Sequence, residues 1–432
     1  MDLHEETADV LSRLIRFDTV NPPGNERAAL EWLAGYLEDA GLECELAGPE
    51  PERQNLVAVL RGREPGPVLG YLGHVDTVLA DRDDWSRDPW GGERHDGWLW
   101  GRGALDMKNQ VAAEAVAAAR LARSGWRPAR GELRVFAVCD EETGGVLGAQ
   151  WLCEQRPDLA RCDFLLNEGG GPVVPYEDRR LYGVCCAEKG TFRFRVTARG
   201  RAGHASVPIP DGNALVKLAG AIERLARPLD TYHVTEDTRA LLCGLGEDPG
   251  DPAGAVARVA EREPRLAPLV RAALQVTMAP TRAFASEKIN VIPARAELHV
   301  DCRAPAGMEP DAVMARVREA LGDDGDLEVA FLETVVGNRS PLDTPLMDAI
   351  GEWIGQADPG AIAAPYVLPA FTDSRHWRVA FPDCVAYGFF PTRHMAIWDW
   401  WPLLHAADER IDLRDLGFAA EFFAWLPPRL LG

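Results

Sequence analysis

The sequence predicts an α/β protein whose main sheet is mostly parallel, with a smaller α+β domain inserted into the larger one. Apolar segments of strand length alternate with helical segments in the first part of the chain and again near its end. Between these parts, the strand-like segments have one polar face. The 432 residues exceed one typical hydrophobic core, so two domains are expected.

The first part of the chain supports the parallel sheet. Leu30, Leu33 and Leu37 share one face of a predicted helix over residues 25–40, and a run of Ala and Val predicts a helix over 111–121. Continuous apolar segments predict buried strands at 55–60, 67–72, 134–139 and 163–167. Strands that alternate with helices favour a parallel sheet with both faces covered.

The pattern changes near residue 187. Apolar and polar side chains alternate in residues 192–198, which predicts a strand with one face in water. Strands at 288–292, 297–302 and 327–331 and helices at 213–225 and 310–321 complete an order typical of a ferredoxin-like domain. We interpret residues 234–280 as an elaboration of this domain.

The α/β pattern resumes after residue 341, with predicted helices at 345–354 and 372–379 and a strand at 384–388. The histidine motif at His405, near the end of the chain, must lie close to polar motifs of the first part, so this last segment belongs to the first domain. The predicted domains are therefore residues 1–186 with 337–432, and an inserted domain over 187–336.

The composition excludes several classes of protein. A formal net charge of −21 argues against nucleic acid or an anionic membrane as partner, and no apolar stretch reaches membrane-spanning length. The nine cysteines lie mostly in apolar segments without a Cys-x-x-Cys pair, which favours reduced thiols. The N-terminal residues lack a secretion-signal pattern, so a cytoplasmic location is expected.

Five short polar motifs carry the chemistry, and most of them follow or end an apolar run. They are Gly73-His74-Val75-Asp76, Gly101-Arg102-Gly103-Ala104-Leu105-Asp106, Asp140-Glu141-Glu142-Thr143-Gly144-Gly145, Asn167-Glu168-Gly169-Gly170 and His405-Ala406-Ala407-Asp408-Glu409. Ends of strands in an open α/β sheet deliver residues to a ligand crevice. Two imidazoles and three carboxylates form a ligand set that Zn²⁺ favours. Glu141 remains as an extra carboxylate that is free to move protons.

Each motif has an alternative interpretation. His74 and Asp76 could form a structural hydrogen bond on one strand face, Asp106 could cap a helix, and His405 could be a lone surface histidine. The acids at 140–142 could be a solvated loop, but three adjacent acids after a buried strand repel one another unless cations compensate. The joint occurrence of the five motifs at successive strand ends favours a site for two metal ions.

Further candidates have weaker signals. His204 in Gly-His-Ala-Ser could be a turn residue, and Arg303 could be a solvent-facing strand charge. Asn290 lies on a strand that is predicted to neighbour that of Arg303. The segment Thr372-Asp373-Ser374-Arg375 could merely cap a helix.

In these motifs and in its domain plan, the chain resembles the zinc-dependent family of aminoacylase, carboxypeptidase G, acetylornithine deacetylase and succinyl-diaminopimelate desuccinylase. The resemblance covers nearly the whole length. It implies a two-zinc exopeptidase-like catalytic domain and an inserted domain that serves as a lid and as a homodimer interface. It also implies two Zn²⁺ ions per chain, although the same ligands bind Co²⁺ or Mn²⁺.

By the same resemblance, His74 and Glu168 hold one metal ion, and Asp106 bridges it to the second. Glu142 and His405 hold the second ion, and a cis peptide bond is expected after Asp106.

The remaining roles also come from the resemblance. Glu141 is the general base and Asp76 supports His74, while His204 polarises the scissile carbonyl in the active site of the partner subunit. Asn290 and Arg303 contact the substrate. Arg375 binds a substrate carboxylate, a task that suits a planar guanidinium.

Two segments depart from the family pattern. Ala370-Phe371 replaces a Gly-Gly pair before Thr372, and the apolar segment at 397–404 replaces a Gly-Pro-Gly-rich loop before His405. Both add bulk beside the expected substrate pocket.

The predicted function is hydrolysis of an amide bond in an N-acyl amino acid or a small peptide with a free carboxylate. One alternative is a two-zinc aminopeptidase or dipeptidase, against which the inserted domain counts. Another is an inactive dimeric binding protein, which should lack a ligand or the base; all of them are present.

Overall fold

The computed structural model describes residues 2–208, 212–322 and 325–432. The chain forms two compact units. The first comprises Met1–Cys186, Ser340–Tyr366 and Thr372–Gly432, and the second comprises Ala187–Arg339 and Val367–Phe371.

The helices and strands are numbered along the chain. The α-helices are α1 (Leu3–Ile15), α2 (Arg27–Glu38), α3 (Lys108–Arg123), α4 (Ala149–Gln155), α5 (Pro157–Ala160), α6 (Ala214–Leu225), α7 (Glu236–Leu245), α8 (Pro252–Arg262), α9 (Ala267–Leu274), α10 (Pro310–Leu321), α11 (Pro345–Ala357), α12 (Ser374–Ala380), α13 (Ile397–Trp400) and α14 (Leu413–Leu431). The strands are β1 (Glu43–Glu50), β2 (Arg53–Arg61), β3 (Glu64–His74), β4 (Glu93–His95), β5 (Trp98–Trp100), β6 (Arg130–Val138), β7 (Phe164–Asn167), β8 (Pro172–Tyr176), β9 (Arg179–Glu188), β10 (Gly190–Thr191), β11 (Phe194–Arg199), β12 (Gly203–His204), β13 (Thr277–Phe284), β14 (Val291–Ile292), β15 (Arg295–Ala304), β16 (Leu327–Phe331), β17 (Ile362–Leu368), β18 (Val385–Gly388), β19 (Thr392–Ala396) and β20 (Arg410–Asp412).

The main sheet confirms the predicted α/β class, although it is mixed. Its order is β1-β2-β6-β3-β7-β18-β9-β8-β19, with β17 beside β9. The central strands β6, β3, β7 and β18 are parallel. The β1–β2 and β8–β9 pairs are antiparallel because two-residue loops join them, at 51–52 and 177–178.

The parallel centre of this sheet brings the polar motifs to one edge. His74 at the end of β3 pairs with Val138 at the end of β6, and Tyr71 of β3 pairs with Leu166 of β7. The residues that follow these three strands therefore leave the sheet side by side. Helices α1, α3 and α14 pack together, and α3 contacts β3 and β6, while α4 packs against α12.

The second unit contains a separate antiparallel sheet in the order β13-β15-β11-β16. Helix α6 packs against β11 and β15 and contacts α10, and the apolar faces of these elements form one buried core. Read along the chain, the four strands and two helices have the ferredoxin-like order that the sequence predicts.

One predicted strand of this unit is wrong. Within residues 288–292, only Val291–Ile292 is a strand, and it pairs with β12 rather than with the larger sheet. The second strand of the ferredoxin-like order is β13, half of which lies in the stretch over residues 234–280 that the sequence assigned to an elaboration. Its outer half is exposed and its register shifts near Pro280, so it lacks the alternation that identifies a strand.

Helices α7, α8 and α9 form the rest of that elaboration. Within the described ranges, no helix is long and apolar enough to cross a membrane.

Candidate metal centre

His74 lies at the very end of β3 and is buried. Its Nδ1 is 3.0 Å from the main-chain oxygen of Asp76 and 3.5 Å from the Asp76 carboxylate. The strand ends at His74, so the two-residue repeat that was expected to bring the carboxylate to the ring does not continue. The carbonyl is the nearer partner and leaves Nε2 to face the other motifs.

Asp106 lies between the two histidines. Its Oδ1 is 3.1 Å from His74 Nε2 and its Oδ2 is 3.1 Å from His405 Nε2. The peptide bond from Asp106 to Met107 is cis, as expected. Helix α3 begins at Lys108 and its cap has no side-chain hydrogen bond, so Asp106 does not cap it. One carboxylate thus joins two imidazoles that are 331 residues apart in sequence (405 − 74).

The three glutamates of the motifs approach the same place. Glu142 Oε2 lies 3.4 Å from His405 Nε2, while Glu141 Oε2 and Glu168 Oε1 each lie 3.9 Å from His74 Nε2. Glu142 and Glu141 belong to one short 3₁₀ helix after β6, and Glu168 follows β7. The structure therefore brings together all five predicted ligands and Glu141.

Burial and mutual repulsion dominate the electrostatics of this cluster. Burial raises the pKa of Glu141 and of Glu168 well above the ordinary value, and Glu168 adds to the rise at Glu141. Burial also raises the pKa of Glu142, although the bond with His405 opposes it. The bonds to Asp106 and Glu142 raise the pKa of His405 to about 10. The cluster is short of positive charge, which divalent cations would supply.

The residues fit such cations. Ligand atoms of His74, Glu141 and Glu168 lie within 4.8 Å of one another, as do those of His74, Asp106 and Glu142. The buried Glu142 Oε1 has no hydrogen-bond partner among the described residues. A buried carboxylate oxygen without a partner is costly unless a cation binds it.

The sequence analysis missed the pair that supports Asp106. Arg102 and Glu409 are buried, and Arg102 Nη1 lies 2.6 Å from Glu409 Oε2. The other oxygen of Glu409 accepts hydrogen bonds from the main-chain N–H groups of Leu105 and Asp106, at 2.7 and 3.1 Å. Both residues belong to the polar motifs, but a pair that is 307 residues apart leaves no local signal in the sequence.

Replacing Glu409 by alanine is expected to destabilise the protein by about 3–5 kcal/mol, because it leaves the buried Arg102 charge without a partner. Urea unfolding followed by fluorescence measures the change. Glu31→Ala is the matched control, since it breaks an exposed pair with Arg27 and should cost below about 1 kcal/mol. Equal costs for the two variants would contradict the assigned role of Glu409.

Arg375 lies in the same unit as the cluster, one residue into α12. Its Nη2 donates a hydrogen bond to the main-chain oxygen of Gly144, 3.0 Å away in the turn that carries Glu141 and Glu142. Asp373 at the start of this helix does not cap it by its side chain. Arg375 is thus a cation beside the acidic turn.

The second unit contains the other predicted site residues. His204 on β12 is exposed, and its Nδ1 lies 2.7 Å from Ser206 Oγ. Asn290 is close to it, because the main-chain oxygen of Asn290 accepts a hydrogen bond from the main-chain N–H of Ala205 at 3.0 Å. The Arg303 guanidinium donates hydrogen bonds to Asp301 and Thr191, and it lies 5.9 Å from the centre of the Phe371 ring. Phe371 thus lies beside a residue that is predicted to contact the substrate.

Comparisons with known proteins found a matching family, related sequences and similar structures. The model of peptidase family M20/M25/M40 matches residues 70–427. The chain is 31% identical over 245 residues to succinyl-diaminopimelate desuccinylase from Cereibacter sphaeroides. That alignment covers 56% of this chain and 61% of the relative, so it spans less than two thirds of the relative's length.

Two solved structures are similar in fold. A metallo-carboxypeptidase of the M20 family from Sulfolobus solfataricus has a TM-score of 0.69 and 16% identity, with 98% of each chain covered. A dinuclear metal-binding peptidase of the M20 family from Bacillus subtilis has a TM-score of 0.65 and 16% identity, with 99% of this chain and 98% of that chain covered.

Proposed function

Because the chain belongs to peptidase family M20/M25/M40, we propose that it is a metal-dependent hydrolase that cleaves the amide bond of an N-acyl amino acid or a small peptide with a free carboxylate. The observation that carries this proposal is the convergence of two histidines, Asp106 and three glutamates at one sheet edge. That set contains a complete group of ligands and one additional carboxylate.

We assign His74, Asp106, Glu142, Glu168 and His405 to two divalent cations, with Zn²⁺ as the expected metal. When bound, such ions lower the pKa of water and stabilise negative charge on a carbonyl oxygen. The short distances from Asp106 to both histidines support its role as the ligand shared by the two ions.

Glu141 is proposed as the general base. It accepts a proton from the attacking water and delivers it to the amide nitrogen as the carbon–nitrogen bond breaks. Its side chain is 12% exposed and lies beside His74 and Glu168, so the carboxylate is shielded from bulk water but adjacent to the metal ligands.

Arg375 is proposed to bind the substrate carboxylate, since its guanidinium lies beside the turn that carries the base. Arg303 and Asn290 are proposed to contact the substrate, and His204 to polarise the scissile carbonyl in the partner subunit of a homodimer. The exposure of His204 and the bond of its Nδ1 to Ser206, which leaves Nε2 for a ligand, support this role. A cytoplasmic location is proposed because all nine cysteines are free thiols.

Removal of the metal is expected to abolish hydrolysis, because the water then keeps a pKa near 15.7 instead of about 7. The protein is dialysed against a chelator and assayed on acyl amino acids in which the acyl group and the amino acid vary separately. Zn²⁺ or Co²⁺ should restore activity at two ions per chain. Mg²⁺ is the control, since it prefers oxygen ligands and should not restore activity.

The same panel separates the alternatives. Cleavage confined to peptides with a free amine would favour an aminopeptidase. Two bound ions without turnover of any substrate would favour a binding protein, and full activity after complete metal removal would overturn the proposal.

A further inference from the structure

A buried ionic network lies behind the turn that carries Glu141 and Glu142. Arg53 at the start of β2 is 8% exposed, and its Nη2 lies 2.9 Å from Asp140 Oδ1. Its Nε lies 3.0 Å from Glu26, whose side chain is fully buried, and its Nη1 donates to the oxygen of Pro23 at 2.9 Å. The guanidinium therefore ties the segment before α2 to the residue that precedes Glu141.

The chain leaves space for this guanidinium at Gly24. A Cβ atom at Gly24 would lie 2.5 Å from the central carbon of the Arg53 guanidinium, and the residue has a φ of +79°. Any larger residue would displace Arg53. The close approach between the two segments thus depends on a glycine in a left-handed conformation.

Asn21 forms a second connection to the same turn. Its Nδ2 lies 2.9 Å from Asp76 Oδ2, 3.2 Å from Asp140 Oδ1 and 3.1 Å from Thr143 Oγ1. The Asp76 carboxylate in turn accepts the main-chain N–H groups of Glu141 and Glu142, at 3.2 and 3.1 Å. The side-chain amide of Asn21 therefore links the Asp76 carboxylate, which holds the turn, to Asp140 and Thr143 of the turn.

The turn needs such support because Asp140 has a φ of +75°, a left-handed conformation that few non-glycine residues adopt. The Asp140 carboxylate is held by Arg53, Thr143 and the main-chain N–H of Leu147. Directly after Asp140, Glu141 approaches His74 while Glu142 approaches His405. A change in the conformation of Asp140 would move both glutamates.

We propose that Arg53 and Asn21 are positioning residues for the metal centre: through Asp140 and Asp76 they fix where the carboxylates of Glu141 and Glu142 lie. The effect on metal binding stands on the geometry alone, whereas the effect on turnover rests on the proposed function. Neither residue contacts a substrate or a metal ion in this scheme.

Arg53→Met tests the proposal, with Arg134→Met as the matched control. Arg134 on β6 is also largely buried, pairs with Glu132 at 2.7 Å and donates to main-chain oxygens, but it lies at the middle of the strand, before the turn. Both variants should lower the melting temperature. Co²⁺ titration and hydrogen exchange of the peptide over residues 139–147 are measured for each.

Arg53→Met is expected to weaken Co²⁺ binding by about 10–100-fold and to lower kcat by a similar factor, with KM changed by less than about threefold. Exchange at the amides of Glu141 and Glu142 should become faster by about tenfold. Arg134→Met should leave Co²⁺ affinity, exchange in this peptide and kcat unchanged. Arg53→Lys keeps one charge–carboxylate contact and should recover part of the loss.

Asn21→Ala tests the proposal if Arg53→Met does not fold. It removes a partner of the same turn that is uncharged, so no buried charge is lost from the network. It should accelerate exchange at Glu141 and Glu142 and weaken Co²⁺ binding about tenfold. Unchanged Co²⁺ affinity in both folded variants, or equal losses in Arg134→Met, would overturn the proposal. A wild-type protein that binds Co²⁺ but hydrolyses nothing would instead refute only the proposed function.

Discussion

Replacing Glu141 by alanine is expected to lower kcat by about 10²- to 10⁴-fold, the usual contribution of a general acid–base group. The carboxylate lies 3.9 Å from His74 Nε2 and is largely shielded from solvent. Removing it leaves no proton acceptor at this position, whereas the five residues assigned as metal ligands remain. Metal analysis should therefore still find two ions per chain.

Two further variants are compared with Glu141→Ala. Glu141→Gln keeps the shape of the side chain and should lose as much kcat as the alanine variant, which would assign the loss to proton transfer. Glu154→Ala removes an exposed acid of the nearby α4 that bonds to Gln150 and should leave kcat unchanged. Substantial activity in Glu141→Gln would show that another group moves the proton.

Replacing Asp106 by alanine is expected to have the second large effect. Asp106 contacts both histidines at 3.1 Å, so its removal takes away the carboxylate that they share. We expect fewer than two ions to remain bound and kcat/KM to fall by about 10³-fold or more, equivalent to about 4 kcal/mol. Metal content is measured by elemental analysis after gel filtration.

Asp163→Ala is the control for Asp106→Ala. Asp163 precedes β7 at the opposite end of the parallel strands, where it accepts the main-chain N–H of Val68 at 2.8 Å. Its loss should change neither metal content nor kcat/KM. If Asp106→Ala retained two ions with wild-type affinity, the assignment of Asp106 as the shared ligand would fail.

Much of the fold was readable because its signals are local. Apolar runs identified the four strands that form the parallel centre and its neighbour β2, and helical segments were recognised at α2, α3, α6 and α10. Strands near the edges of the two sheets were less readable. In the main sheet, β8 and β9 form a hairpin whose direction depends on the loop, and in the sheet of the second unit β13 lacks an alternating pattern. Their places depend on pairing with distant strands.

The sequence by itself determined the α/β class, the motif residues and their expected meeting at the carboxyl ends of parallel strands, because side-chain periodicity and strand direction follow from local order. Tertiary structure alone decided how the motifs are supported. The buried Arg102–Glu409 pair, the carbonyl contact of His74 and the Arg53–Asp140–Asn21 network join residues up to 307 positions apart. Such contacts leave no periodic trace, since their free energy comes from burial and charge pairing that exist only after the chain has folded.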